Sequence, residues 1–483
     1  MHSINRRDFL HNSAALAAAL ASAGLTSSVL AAGKHDNKKD DAGDRLRVAV
    51  LGVHGRGKDH VHGFAGRHNC VVTTICDADS AVVGDAMRIA KKAQGTTPKY
   101  EQDLRRVLDN KDIDIITIAM PNHWHALAAI WAIQAGKDVY VEKPVSHNVS
   151  EGRRIVEAAR KHGQICQTGT QCRSSEGLRE AIAFLQAGHL GKLQVARGLC
   201  YKRRPSIGKT AGAQPIPKTV DYNLWTGPAA MEPLHRKHLH YDWHWIWNYG
   251  NGDLGNQGIH QMDIARWGLN KEGLAHGVRS VGGRFGYVDD GQTANTQICV
   301  FDYGNAELIF EVRGLPTKPY RGAMVGNVFH CTDGYLVVPS YDSAVAFSPK
   351  GEVIRRFHQG GDHFGNFVQV VRSRRVEDLH ADILEGHLSS ALCHLGNISY
   401  RLGTPTPFNK QSRAFGDDKA AGETFERMEE HLKQDAVPLD RTDYQLGRKL
   451  TLEPGQESFV GDAQANGMLT RHYRKPFVVP AKV

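Results

Sequence analysis

"RLRVAVLGVHGRGKDH", residues 45–60, decides the fold. Its first half, Leu46 to Gly52, is a short apolar run of β-branched character that ends in glycine. A run of this kind reads as a parallel strand buried on both faces. The second half is a glycine turn, Gly52-Val53-His54-Gly55-Arg56-Gly57, that leads into a helical stretch. Glycines here let the chain turn sharply off the strand, bring backbone against a pyrophosphate and pack helix on strand, with helix N-terminal amides facing the phosphates. The spacing, with His54 at the middle position, is a variant of the dinucleotide fingerprint. Gly52, His54, Gly55, Arg56 and Gly57 are its expected cofactor contacts.

Outward from this turn the same alternation continues. A second apolar run, residues 70–80, carries Asp77, a carboxylate placed to accept the ribose hydroxyls of NAD and to repel the 2′-phosphate of NADP. NAD is therefore the expected cofactor. A helix near 81–94, a strand at 114–120, a helix near 123–135, a strand at 138–144, a helix at 151–163 and a strand at 165–169 follow. This order predicts a doubly wound parallel sheet, a Rossmann domain over residues 45–168. From about 190 to 400 the apolar runs alternate and are joined by turns such as "DYGN", residues 302–305, a hairpin signal. An α+β domain with an open, mostly antiparallel sheet is expected over 169–403. Residues 404–483 are expected as an extension packed on the fold, with a helix at "ETFERMEEHLKQ".

The bulk composition narrows the class. With 483 residues, 41% hydrophobic and 23% charged, the chain reads as a soluble globular protein of two or three units. The formal charge of +9 does not imply a nucleic-acid partner, because Lys and Arg are scattered and no basic run is interleaved with aromatics. The eight cysteines form no Cys-x-x-Cys pair and read as buried small hydrophobes. His235, His238, His240 and His244 are spaced too loosely to spell a zinc site, so no metal is expected.

Ahead of the fold, Arg6-Arg7 with Phe9-Leu10, an alanine-rich apolar stretch from Ala14 to Leu25 and a small-residue site near Val29-Leu30-Ala31 read as a twin-arginine signal, residues 1–32. A polar linker, residues 33–44, follows. The expectation is export of the folded protein to the periplasm by the twin-arginine machinery.

At "AMPNHWHALAAIWAIQAGKDVYVEKP", residues 119–144, the chain resembles the glucose-fructose oxidoreductase and inositol dehydrogenase family (Gfo/Idh/MocA). The matching residues are Pro121, Asn122 and His125 after the third strand, and Glu142, Lys143 and Pro144 after the fourth. The blocks at 251–269, 386–403 and 461–476 resemble the exported bacterial branch of that family. The resemblance implies a Rossmann domain followed by an open antiparallel sheet, a sugar held between them, and a homo-oligomer. It places Lys143 beside the nicotinamide and the reacting hydroxyl, where a lowered pKa would let the ammonium shuttle a proton. The family's Asp-x-x-x-His pair appears here as Asn256 and His260, an amide in place of the acid. Catalysis is expected from Lys143 and His260, with Asn256 as the third residue of the site and Asp263 on the same helix orienting the imidazole. The histidine- and aromatic-rich stretch 234–250 is expected to form a carbohydrate platform, and Arg173, Trp245 and Asp263 are candidate substrate contacts.

An exported dehydrogenase lacks a supply of free NAD, so the cofactor is expected to be loaded before export, tightly held and cycled in place. The first expectation is an oxidoreductase acting on a sugar or glycoside. The second is an NAD-dependent glycoside hydrolase working by C3 oxidation, elimination, water addition and re-reduction. A third is a sugar-binding protein of the same fold without catalysis.

Overall fold

The computed structural model describes residues 44–408, 414–453 and 455–483. The twin-arginine reading and nearly all of the linker lie outside the described residues.

Six strands form the first sheet: β1 (Leu46–Leu51), β2 (Cys70–Cys76), β3 (Lys99–Glu101), β4 (Ile115–Ile118), β5 (Asp138–Val141) and β6 (Cys166–Thr168). Their order is 3-2-1-4-5-6 and every pairing is parallel. The last four residues of β1 and all of β4 and β5 are buried, as continuous apolar runs covered by helices on both faces require. The helix Val149–His162 shows how sequence sets an element's ends. The Asn148 side chain accepts from the Glu151 amide at its start, and Gly163, at φ 64°, stops it in a left-handed turn. The strand Lys99–Glu101 and the helix Leu104–Asp109 go beyond the sequence reading; they are three and six residues long, too short to show a period.

The second sheet contains β7 (Leu193–Tyr201), β8 (Gly277–Gly283), β9 (Thr296–Asp302), β10 (Glu307–Arg313), β11 (Val325–Cys331), β12 (Tyr335–Val338), β13 (Ser343–Phe347) and β14 (Val353–His358). β15 (Thr404–Pro407), β16 (Asp443–Leu446), β17 (Leu450–Glu453) and β18 (Ser458–Phe459) extend it at the β8 edge. Only β7 and β10 pair in parallel; the other pairings are antiparallel, and β9 and β10 form the hairpin around Tyr303-Gly304-Asn305. The architecture is thus a parallel Rossmann sheet followed by a mostly antiparallel sheet domain.

Helices Glu176–Gln186, Gly258–Leu269 and Ile383–Arg401 cover one face of the large sheet in a single apolar core with Phe310 and Phe329. Two late segments return to the first domain. Phe367 of the helix His363–Ser373 joins the core beneath β1, and Phe477 packs edge-on against Trp124 at 5.4 Å. All eight cysteines are free thiols, and seven are buried. Among the described residues no helix is long and apolar enough to cross a membrane.

Candidate functional site

A cleft of about 1240 Å³ opens at the carboxyl ends of β1, β2, β4 and β5. In a doubly wound sheet this is the crevice where strand order reverses and ligands bind. Its floor is the glycine turn. Gly52 has φ +83° and a Cβ there would sit 2.8 Å from the Ala119 backbone. A Cβ on Gly57 would lie 1.8 Å from the Gly52 carbonyl oxygen, so only glycine lets the helix Gly57–Phe64 start so close to the strand. A Cβ on Gly55 would meet nothing within 4 Å, which leaves backbone open to a ligand. The amides of His54, Gly55 and Arg56 have no backbone partner among the described residues. These three glycines and free amides fit the pyrophosphate of a dinucleotide.

Asp77, just after β2, lines the cleft and accepts from the Val53 amide at 2.8 Å and the Asp79 amide at 3.0 Å. Burial pushes its pKa up, and these two amides oppose the shift by stabilising the anion. A carboxylate holds four acceptor lone pairs, so capacity remains for ribose hydroxyls. Residues and cradle together fit NAD.

On the far side of the cleft, Pro121 precedes the helix Asn122–Gln134 and Asn122 donates to the Asn251 side chain at 3.1 Å. The His125 ring lies 2.6 Å from the carbonyl oxygens of both Met120 and Pro144, and so ties the loop after β4 to the loop after β5. Glu142 is buried, accepts from Arg56 at 2.8 Å and lies 3.2 Å from His60. Burial raises its pKa, but His60 and Arg56 outweigh this and hold the carboxyl well below its ordinary value. Arg56 therefore reaches the cleft as the partner of a buried anion.

Lys143 donates from Nζ to the Asn256 backbone carbonyl at 2.8 Å, a link from the Rossmann domain to the second domain. Burial pushes its pKa down; Glu142 opposes, and Arg56 and Lys202 add to the lowering. Asn256 lines the cleft, but it closes the short helix Gly252–Asn256, and His260 belongs to the next helix, Gly258–Leu269. Between Asn256 and His260 only the hydrogen bonding is interrupted: Gln257 keeps helical dihedrals (φ -81°, ψ -42°), the Asn256 carbonyl accepts from Lys143, and the His260 amide donates to Gln257. His260 packs against Tyr341, ring centroids 5.1 Å apart, and its Nδ1 is buried with no partner among the described residues. Burial first and the Lys143 charge second hold it well below its ordinary pKa, as a neutral ring.

The expected Asp263–His260 contact is replaced by another. Asp263 accepts two hydrogen bonds from Arg173 Nε and Nη2 and a third from Ser389, while Arg173 also pairs with Glu385. A buried bidentate guanidinium is the stronger partner, so Arg173 and Asp263 face each other and neither borders the cleft. Trp245 is likewise turned inward under Arg204, whose guanidinium lies 5.7 Å from the ring.

The segment 204–250 instead presents Tyr241, Trp243 and His244 to the cleft and crosses over it. It is fastened by Ser80 N to Thr219 O at 3.1 Å, Asp221 N to Ala78 O at 2.9 Å and Trp124 Nε1 to Leu224 O at 2.9 Å. His240 stacks on His54 at 4.5 Å and contacts Asp79 at 2.8 Å. Near Lys143, Lys202 donates to Gln257, which donates to Tyr341. Sequence reasoning passed over Arg204, Gln257 and Tyr341, because each acquires its place only through a partner 49 or more residues away. Among the described residues no three His, Cys, Asp or Glu side chains converge on a metal position.

Residues 46–170 match the oxidoreductase family with NAD-binding Rossmann fold, GFO_IDH_MocA, and residues 190–307 match its C-terminal alpha/beta domain. Curated relatives include a glycosyl hydrolase family 109 protein of Shewanella sp. (strain W3-18-1), 35% identical over 179 residues, and an alpha-N-acetylgalactosaminidase of Shewanella oneidensis, 32% identical. Each alignment covers 34% of this chain and 39% of the relative's length. Among solved structures, the WlbA dehydrogenase of Bordetella pertussis in complex with NADH and UDP-GlcNAcA superposes with TM-score 0.55 at 19% identity, over 76% of this chain and 100% of that one. A levoglucosan dehydrogenase in complex with NADH and levoglucosan gives 0.53 at 18%, over 73% and 97%. At these identities the structural likeness shows the fold. The two matched regions together span half of the sequence, with all of the first sheet and β7 to β9 of the second, and the chain belongs to the Gfo/Idh/MocA oxidoreductase family.

Proposed function

We propose that this protein is an enzyme that holds NAD in the cleft and acts on a glycoside, cleaving it with no net change in oxidation state. The observation that carries the reading is the crossing segment 204–250, fastened at Ala78, Asp79, Ser80 and Trp124 over the glycine turn. His240 and Trp243 of this segment border the same cleft as Gly55, so a cofactor seated there is contacted from both domains. Bound there, NAD supplies a reversible hydride acceptor. The curated relatives named glycosyl hydrolase family 109 favour cleavage as the outcome.

The chain's own groups suit the proton traffic of such a reaction. Lys143, with a lowered pKa and one hydrogen bond to a backbone carbonyl, can give or take a proton at a sugar hydroxyl. His260, a neutral ring packed on Tyr341, is not among the residues that line the cleft, so in this reading it sets the surroundings of Lys143, whose charge it feels, and does not meet the sugar itself. Asn256 at the cleft wall can hold a hydroxyl but cannot titrate. Trp243 and His244, stacked at 3.7 Å, present an aromatic surface to sugar C–H groups.

Net oxidoreduction of a sugar is the second reading, favoured by the solved dehydrogenases that share the fold. Hydrolysis of a panel of 4-nitrophenyl glycosides in D₂O, with mass analysis of the released sugar, separates the two. Cleavage with one non-exchangeable deuterium at C2 supports the proposal; unlabelled product, or alcohol–ketone interconversion without cleavage, contradicts it. Export to the periplasm through the Arg6-Arg7 signal and assembly as a homo-oligomer complete the proposal, the first resting on residues 1–32 and the second on family resemblance.

A further inference from the structure

A second cavity, of about 1040 Å³, lies between the start of the helix Val149–His162, the end of the helix Ile383–Arg401 and residues 467–472. Asn251 walls it off from the cofactor cleft. Its side chain accepts from Asn122 on the cleft side and donates to the His147 carbonyl on the other. No carboxylate borders this cavity, yet two guanidiniums do.

Arg401 stands at the rim with its guanidinium 4.9 Å from the Trp247 ring, and among the described residues it makes no hydrogen bond or ion pair. Arg471 donates only to neutral acceptors, the Asn248 carbonyl and side chain and His147 Nδ1. The nearby acid Glu151 is turned away, accepting from the His147 amide and Asn148. Partial burial and then the Arg471 charge push the Arg401 pKa down, while the Arg471 charge also acts on buried Glu151. His147 Nε2 is out of solvent and has no partner among the described residues. Arg401 is exposed at the rim and has no anionic partner there, so its guanidinium is open to an anion that enters the cavity. Trp247, Asn248 and Asn397 add a ring face and amides of the kind that receive hydroxyl groups.

We infer that this cavity binds a small oxyanion, a carboxylate or a phosphate, carried on a hydroxylated molecule of sugar size, with Arg401 as the main charge contact. The inference is independent of what the cofactor cleft does. The test is calorimetric titration of the full chain with D-glucuronate, glucose 6-phosphate and glucose, repeated on Arg401→Gln and on Lys143→Met. Saturable binding of one or both acids is expected, with glucose weaker by about tenfold or more. Arg401→Gln should weaken the acid by about tenfold or more, and Lys143→Met should leave it unchanged. Which acid binds names the source of the anion. Absence of binding by either acid, equal binding by Arg401→Gln, or loss in Lys143→Met alone would overturn the inference. Arg401 makes no hydrogen bond, so its variant should keep the wild-type melting temperature, and any loss of binding then reads on the site.

Discussion

The two walls of the cofactor cleft are built by opposite means. The Rossmann wall is backbone and strand ends: free amides at 54–56, glycines that bring helix and strand together, and Asp77 held by the Val53 amide 24 positions away. The opposite wall is side chains pinned across long stretches of sequence. His240 is fixed to Asp79, 161 residues away, Lys143 to the Asn256 carbonyl, 113 away, and behind the wall Arg204 is fixed to Asp253, 49 away. A wall of amides and glycines suits the invariant diphosphate of a cofactor, because backbone geometry recognises it without side-chain chemistry. A wall of paired side chains can be altered one residue at a time, and substrate choice belongs there.

The comparison breaks most visibly at the link between the walls. Lys143→Met should lower turnover by about 10²- to 10⁴-fold while bound NAD is retained, checked by steady-state rates and cofactor content. Asp253→Ala strands the Arg204 guanidinium, whose side chain is 9% exposed, beside Trp245. It should cost about 3–5 kcal/mol in chemical denaturation and loosen the crossing segment. On the Rossmann wall, Gly57→Ala should cost about 3 kcal/mol and abolish NAD binding, since its Cβ would meet the Gly52 carbonyl. Gly55→Ala faces open space, so it should change stability by less than about 1 kcal/mol and act on NAD affinity alone. Asp77→Asn should narrow the preference for NAD over NADP by about tenfold, near 1.4 kcal/mol, measured by competitive titration.

The most widely distributed effect is in pH. His123 and His394 are held down to about 3, and His363 to about 4, chiefly by burial. Between pH 6.5 and these values the unfolded chain binds protons that the folded one refuses. Their stability contribution is therefore full above pH 6.5 and is lost as pH falls toward 4, by on the order of 1 kcal/mol per histidine per pH unit. Melting curves across pH 4–7.5 should show this slope, and His394→Gln should reduce it.

The same division explains what the sequence made legible. The glycine turn and Asp77 follow from local spacing and strand ends, the Lys143 position from the family resemblance, and the structure gathers all three at one cleft. Trp245, Arg173 and Asp263 were expected at the substrate and are instead used internally, because a buried arginine must be paired and the nearest carboxylate and indole were those residues. Tyr341 and Gln257 gave no local signal; they sit 84 positions apart and meet only when the large sheet forms. The interruption at Gln257 was hidden in a helical spacing, because it is one of hydrogen bonding alone.

The central claim is that NAD is a resident of this protein and serves cleavage in place. Its most direct test is the cofactor content of the full chain purified without added NAD, by mass spectrometry of the denatured protein, together with release of 4-nitrophenol from the panel of 4-nitrophenyl glycosides without added cofactor. The account predicts close to one NAD per chain after dialysis and turnover that free NAD does not raise. A chain free of NAD that gains no thermal stability when the cofactor is supplied would contradict it.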